Sequence, residues 1–277
     1  MLKAVLHGKA GRVELDGKVE SISWRKLFSS GEDLLTAAIF TRWSYLSDNA
    51  QNQLMCNWFN VDENSEHDFT TFKDIQFWPQ YDLAEIEGRK YVEPDVLIQF
   101  EDFNLLIEVK PPLGGDQYLE QWQNEITGYF SWEGNDSKPL YFLAIGRTDN
   151  VDDEWCQNIM EADGEKPKML HALTWKPVAK SMYNLLKNGD LLPQDMRILS
   201  DMLNALELYG TRGYDYLWAD FEKKSLPEIS FETMSMFKLP YIKNDMEIDD
   251  FMHNYQFVDM LNRYNILNLE IMKKWKN

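Results

Sequence analysis

The sequence has no apolar run approaching the ~20 residues that a membrane-crossing helix requires. Its opening residues, MLKAVLHGKAGRVELDG, lack the apolar centre of a signal peptide. Cysteine is scarce: Cys56 and Cys156 stand far apart and match neither a disulfide framework nor a zinc spacing. Cytoplasmic residence is therefore the expectation. Positive charge is also scarce, with 28 Lys and Arg against 46 Asp and Glu and a net charge of −18. Phosphate contacts supply most nucleic-acid affinity, so this balance argues against autonomous, non-specific binding to nucleic acid. A nucleic-acid role would need a local basic patch, a bridging divalent metal or a partner that delivers the substrate. The histidines His7, His67, His171 and His253 are scattered and form no metal-spacing pair. There is no Gly-x-Ser-x-Gly nucleophile elbow, no phosphate-binding Gly-x-x-x-x-Gly-Lys loop, no dinucleotide fingerprint and no internal repeat.

What is present describes a folded protein. The chain has 277 residues, 44% of them hydrophobic and 14% aromatic, enough for a substantial core. Ten tryptophans suit either a tryptophan-rich core or an interface.

The stretch SSGEDLLTAAIFTRWSYLSD reads as a helix. Ser29 or Ser30 can cap it, Glu32 and Asp33 suit its positive end, and Leu35, Ile39, Trp43 and Leu46 recur at helical spacing. Residues 48–70 are polar and read as loops or short helices. TFKDIQFWP is strand-like and ends at Pro79. DQYLEQWQNEITGYF is a helix with Leu119, Trp122 and Ile126 on one side and Gln117, Gln121 and Glu125 on another. PLYFLAIG is a buried strand, DDEWCQNIMEA a helix and KMLHALT a further strand. From Pro177 the pattern is almost wholly helical, and PQDMRILSDMLNALELYG carries Pro at its start and Gly at its end. These elements predict a mixed α/β core over residues 1–175 and an α-helical extension over 176–277.

One segment carries chemistry: YVEPDVLIQFEDFNLLIEVKPP, residues 91–112. It reads as a hairpin of residues 92–100 and 104–110. Alternation sends Val92, Pro94, Val96, Ile98 and Phe100 to one face, with Leu105, Ile107 and Val109 of the second strand. A turn of even length makes the paired residue numbers sum to an odd value. Asp95 then lies opposite Glu108 or Lys110, and all three project from the same face. The simplest account is a solvated polar face with a cross-strand ion pair. A site is the other account: the acidic helix start at Glu32 lies upstream, the Glu-x-Lys breaks at once into Pro111 and Pro112, and a Gln-bearing helix follows.

The "EPD" and "IEVK" of this segment resemble the signature of the PD-(D/E)xK nuclease superfamily, over roughly residues 28–146 and in the family's order of helix, three strands, helix, strand. The resemblance implies a restriction-endonuclease-like fold, a mixed β-sheet core flanked by helices. It also implies a divalent-metal-dependent DNA endonuclease of a bacterial restriction, defence or mobile-element system. On it, Asp95 and Glu108 correspond to the metal-binding acids, Lys110 to the catalytic lysine and Glu32 to the acid of the first helix. Gln121, or less closely Gln117, corresponds to the glutamine after the lysine. The helical tail has no counterpart, and the charge of −18 departs from what a free-standing nuclease favours.

The chemistry is coherent without the family. Carboxylates at Asp95 and Glu108 are hard oxygen ligands suited to Mg²⁺ or Mn²⁺, and bound metal turns an acidic cluster into an anion site. Lys110 could orient or deprotonate water or neutralise developing charge, since desolvation lowers a lysine's pKa. Gln121 is expected to point into the cleft. The acidity predicts a second protein that targets the DNA, docked on the helical region, with self-association ranked behind it. The other reading is an inactive nuclease-fold subunit that serves as a protein-interaction module. The YGTRGYDYLW segment could set Arg212 in a nucleic-acid groove, but a helix cap followed by a turn explains it more simply.

Overall fold

The computed structural model describes residues 4–214 apart from 6, 8, 14–20, 25–30, 63–67, 84–90, 136, 152 and 163. The chain divides into two compact units, 1–215 and 216–277, and every described residue lies in the first. The acidic run NDMEIDD and the basic C-terminus lie outside the described residues, as do His67, His253, Ser29 and Ser30.

In chain order the elements are β1 (Arg12–Val13), β2 (Ile22–Ser23), α1 (Glu32–Trp43), α2 (Asp48–Phe59), β3 (Phe72–Phe77), β4 (Tyr81–Asp82), β5 (Tyr91–Val92), β6 (Val96–Phe100) and β7 (Asn104–Val109). Then follow α3 (Leu119–Ser131), β8 (Leu140–Ile145), α4 (Asp153–Glu161), β9 (Met169–Leu173), α5 (Trp175–Asn188) and α6 (Pro193–Leu208). A five-stranded mixed sheet in the order β3-β6-β7-β8-β9 forms the centre. The β3–β6 and β6–β7 pairs are antiparallel; the β7–β8 and β8–β9 pairs are parallel. Parallel neighbours need crossovers, and α3 and α4 supply them.

Helices cover both faces, as near-continuous apolar strands demand. On one face Val96, Ile98, Phe100, Leu105, Ile107 and Val109 pack against side chains of α1, α2, α5 and α6. On the other, Leu97, Leu106, Phe142 and Ala144 meet Trp122, Ile126 and Tyr129 of α3 and Ile159 of α4. Each fully buried Leu, Ile or Phe contributes roughly 1.5–3 kcal/mol of apolar transfer.

The fold is the mixed α/β core flanked by helices that the pattern predicts, with four differences of detail. Of the loops or short helices expected over 48–70, residues 48–59 form one helix. Ser47 caps α2 by accepting from the Ala50 N–H, and Ala50, Leu54, Met55, Trp58 and Phe59 are buried, so tertiary packing overrides a polar composition. The first hairpin strand begins at Val96 rather than residue 92, because Tyr91 and Val92 leave to pair with Tyr81 and Asp82. The cap of α1 is Gly31, with no side-chain cap bond. The second face of the hairpin is covered by α3 rather than solvated. Helices α5 and α6, which begin around the predicted boundary at residue 176, lie in the first unit and contribute Val178, Met182, Leu199 and Met202 to its larger core.

Candidate metal centre

The centre forms where β7 stops. The β6–β7 register pairs Val96 with Ile107 and Leu97 with Leu106, sums of 203, the odd value the turn parity predicts. One further step sets Asp95 opposite Glu108. Lys110 lies two residues beyond Glu108, on the same face of the strand.

Asp95 is held on both sides. Its carbonyl accepts the Trp78 N–H at 3.1 Å, and its Oδ2 accepts the Val109 N–H at 2.8 Å. Trp78 makes that bond from a left-handed backbone, φ 50°, a conformation that costs a bulky residue of order 1–3 kcal/mol and persists only where the surroundings hold it. Only 6% of Asp95 is exposed. Burial, and then the neighbouring Glu108, push its carboxyl up to about 8 despite the Val109 bond.

Glu108 is 1% exposed and receives two donors on Oε1, the Lys110 ammonium and, at 2.7 Å, the Gln121 amide. Burial, and then Glu125, raise its carboxyl well above the ordinary range. The Lys110 Nζ also donates to Glu32 Oε1 at 3.1 Å, so the first residue of α1 closes the cluster from the opposite helical layer. One ligand oxygen each from Glu32, Asp95 and Glu108 lie within 4.8 Å of one another. At such separations, with an effective dielectric near 20, two like charges repel by about 3–4 kcal/mol.

Lys110 departs from the expectation of a lowered pKa. Burial does pull its ammonium down, but Glu108 and Glu32 outweigh burial and hold it above the usual lysine range. Both carboxylates thus favour its charged form, the direction opposite to that of burial. Its backbone is fixed as well: the N–H donates to Ile145 O at 2.8 Å and the carbonyl accepts Trp175 Nε1 at 2.7 Å.

Gln121 points inward. Its Nε2 donates to Glu108 and, at 2.9 Å, to Glu125 Oε1. Gln117 does not reach the carboxylates. It is 1% exposed, donates to Gly146 O at 3.0 Å and accepts Trp122 Nε1 at 2.9 Å, which pins the β7–α3 connection. Arg212 forms an ion pair with Glu207 at 3.2 Å, at the end of α6. His7 is exposed; His171 is half-buried on β9, where burial lowers its pKa.

Sequence reasoning missed three participants. Glu125 is 2% exposed, its Oε2 has no hydrogen-bond partner, and burial raises its carboxyl to about 7. Its place one turn after Gln121 was the available signal. Trp78 and Trp175 gave no signal, since both reach the centre through tertiary contacts.

The donor set fits a divalent cation: three carboxylates converge with like-charge repulsion that a cation relieves, and all their donors are hard oxygens. A cluster of three acidic residues that could hold a metal, on a five-stranded mixed sheet flanked by helices, is the class that fold and site define. Among the described residues no helix is long and apolar enough to cross a membrane.

No family model matches the chain. It is 29% identical over 235 residues to an uncharacterized protein of Pasteurella multocida (strain Pm70), covering 81% of this chain and 86% of that one. Among solved structures it is similar to the small subunit of the heterodimeric restriction endonuclease R.BspD6I, at 16% identity and a TM-score of 0.27, over 55% of this chain and 80% of that chain.

Proposed function

We propose that the chain is a divalent-metal-dependent endonuclease of restriction-endonuclease-like fold that hydrolyses phosphodiester bonds in DNA. The observation that carries this reading is the junction of Asp95, Glu108, Lys110 and Glu32 in one largely buried cluster. A scaffold gains nothing by burying like charges at that cost, whereas a metal-dependent hydrolase needs them.

Asp95 and Glu108 would hold Mg²⁺ or Mn²⁺, with Glu32 as the third carboxylate. The metal, when bound, supplies Lewis acidity at a phosphate oxygen and lowers the pKa of a coordinated water. Lys110, kept charged, offsets the negative charge that develops on the non-bridging oxygens as the water oxygen bonds to phosphorus and the ester oxygen leaves. Gln121 fixes the orientation of the Glu108 carboxylate. The setting, a bacterial restriction, defence or mobile-element system, follows from the sequence resemblance.

The net charge of −18 repels DNA over a Debye length of about 8–10 Å. A second protein that brings basic surface or target choice therefore belongs to this reading. The test is cleavage of DNA by the purified chain with Mg²⁺ or Mn²⁺ at physiological salt, alone and with proteins that co-purify with it. Metal-dependent cleavage that Lys110→Ala removes is the expected result. No cleavage with any metal or partner would leave an inactive, protein-binding subunit.

A further inference from the structure

Glu32 is held less by packing than its partners in the cluster. Its side chain is 33% exposed, against 11% for Lys110 and 1% for Glu108. It is also the first residue of α1, at the end of a helix where backbone groups lack intrahelical partners and fraying starts. The preceding residue, Gly31, has an extended backbone and offers no side-chain cap. Local structure therefore does little to fix the Glu32 carboxylate.

A tertiary bond supplies what the helix end lacks. The Tyr209 hydroxyl donates to Gly31 O at 3.1 Å, across 178 positions of the chain. That carbonyl belongs to the planar peptide bond that joins Gly31 to Glu32. It also accepts the Leu35 N–H at 3.2 Å, the first helical bond of α1. Tyr209 is itself held: it is 4% exposed, caps the C-terminal end of α6 and donates its N–H to Leu206 O at 3.0 Å. Leu199, Met202 and Leu206 of α6 share one core with Leu35, Ile39 and Phe40 of α1. Lys110 is served in the same way from α5, where Trp175 Nε1 donates to its carbonyl at 2.7 Å. Both partners of the Lys110–Glu32 ion pair are thus anchored through backbone carbonyls by side chains of α5 and the α6 cap.

We propose that Tyr209 is a positioning residue of the metal centre: its hydroxyl holds the peptide bond before Glu32 and so sets where the Glu32 carboxylate stands. The assignment rests on the metal-dependent reading and gives α6 a part in it. A hydroxyl that only joined two helices would cost stability alone when lost. One that orients a ligand reaches the metal as well, because such partners govern metal affinity by about 10–100-fold.

The test is Mn²⁺ binding by the full chain, in wild type, Tyr209→Phe, Glu32→Gln and the double variant. Phenylalanine keeps the ring in the core and removes only the donor; circular dichroism and urea unfolding in EDTA check the fold. Calorimetry should show Mn²⁺ affinity about ten-fold weaker in Tyr209→Phe, and the double variant no weaker than Glu32→Gln. Water-proton relaxation at saturating Mn²⁺ should show an extra coordinated water in Tyr209→Phe, where the displaced carboxylate leaves a position open. Wild-type affinity in Tyr209→Phe would overturn the assignment and leave the metal centre standing. Weaker binding without the extra water, or an equal further loss in the Glu32→Gln background, would also overturn it, because Tyr209 would then act on the fold as a whole. Wild-type affinity in Glu32→Gln would overturn it by removing Glu32 from the ligands. If wild type binds no Mn²⁺, the metal centre falls and this assignment with it.

Discussion

Glu108 and Lys110 hydrogen-bond to each other across a single intervening residue, and the same ammonium reaches Glu32, 78 positions earlier in the chain. The lysine thus serves as the internal counter-ion of a carboxylate cluster. Replacing it with an apolar residue removes that counter-ion. Lys110→Met should lower metal-free stability by about 3 kcal/mol, measured by urea unfolding in EDTA. Saturating Mn²⁺ should then raise the melting temperature more in the variant than in wild type. Equal metal-free stability would show that the ammonium does not compensate the carboxylates.

The buried carboxyls make stability depend on pH. The folded chain holds the Asp95 proton up to about pH 8 and that of Glu125 up to about pH 7, while unfolded carboxyls release theirs near pH 4. Between these limits the folded state binds more protons than the unfolded state, so stability falls as pH rises. The contribution is complete below about pH 4 and gone above about pH 8. In EDTA, wild type should become easier to unfold from about pH 5 to about pH 8, and Asp95→Asn should flatten the slope. A variant with the wild-type slope would contradict the assignment.

Metal and fold should separate. Asp95→Asn and Glu108→Gln each put a neutral amide of similar shape in place of a buried carboxyl whose pKa is raised, so both should unfold close to the wild-type denaturant concentration at neutral pH without metal. Both should also abolish Mn²⁺ binding measured by calorimetry. Binding equal to wild type in both variants would exclude them as ligands.

Gln121 ties Glu108 to Glu125. Gln121→Met should lower cleavage, or Mn²⁺ affinity, about 10–100-fold while leaving β7 and α3 folded. Circular dichroism checks the fold. An unchanged rate and unchanged metal affinity would make the amide a purely structural link.

Gly146 is fixed by close approach. It has φ 87°, and a Cβ there would lie 2.0 Å from Lys110 O and 2.7 Å from Trp175 Nε1. Gly146→Ala should cost roughly 3 kcal/mol or more, read from chemical denaturation. It should also shift Lys110, because the struck carbonyl is its own. A loss under about 1 kcal/mol would show that β7 and β8 separate easily here.

The sequence alone determined the strand pair and its parity. Apolar alternation separates Val96, Ile98 and Phe100 from Asp95, and an even turn forces the odd register that sets Asp95 across from Glu108. It also determined that helices flank a mixed sheet, since apolar runs such as Leu140–Ile145 must be covered on both faces. Tertiary structure alone decided the rest. The α2 segment looks polar until its scattered Leu54, Trp58 and Phe59 meet the sheet, because a helix of that length is stabilised by packing more than by propensity. Glu125 looks like a surface residue of α3 until the helix is docked over β7. The charge state of Lys110 depends on Glu32, which the chain brings beside it only by folding, and two carboxylates within hydrogen-bond reach outweigh the burial that would otherwise strip the proton.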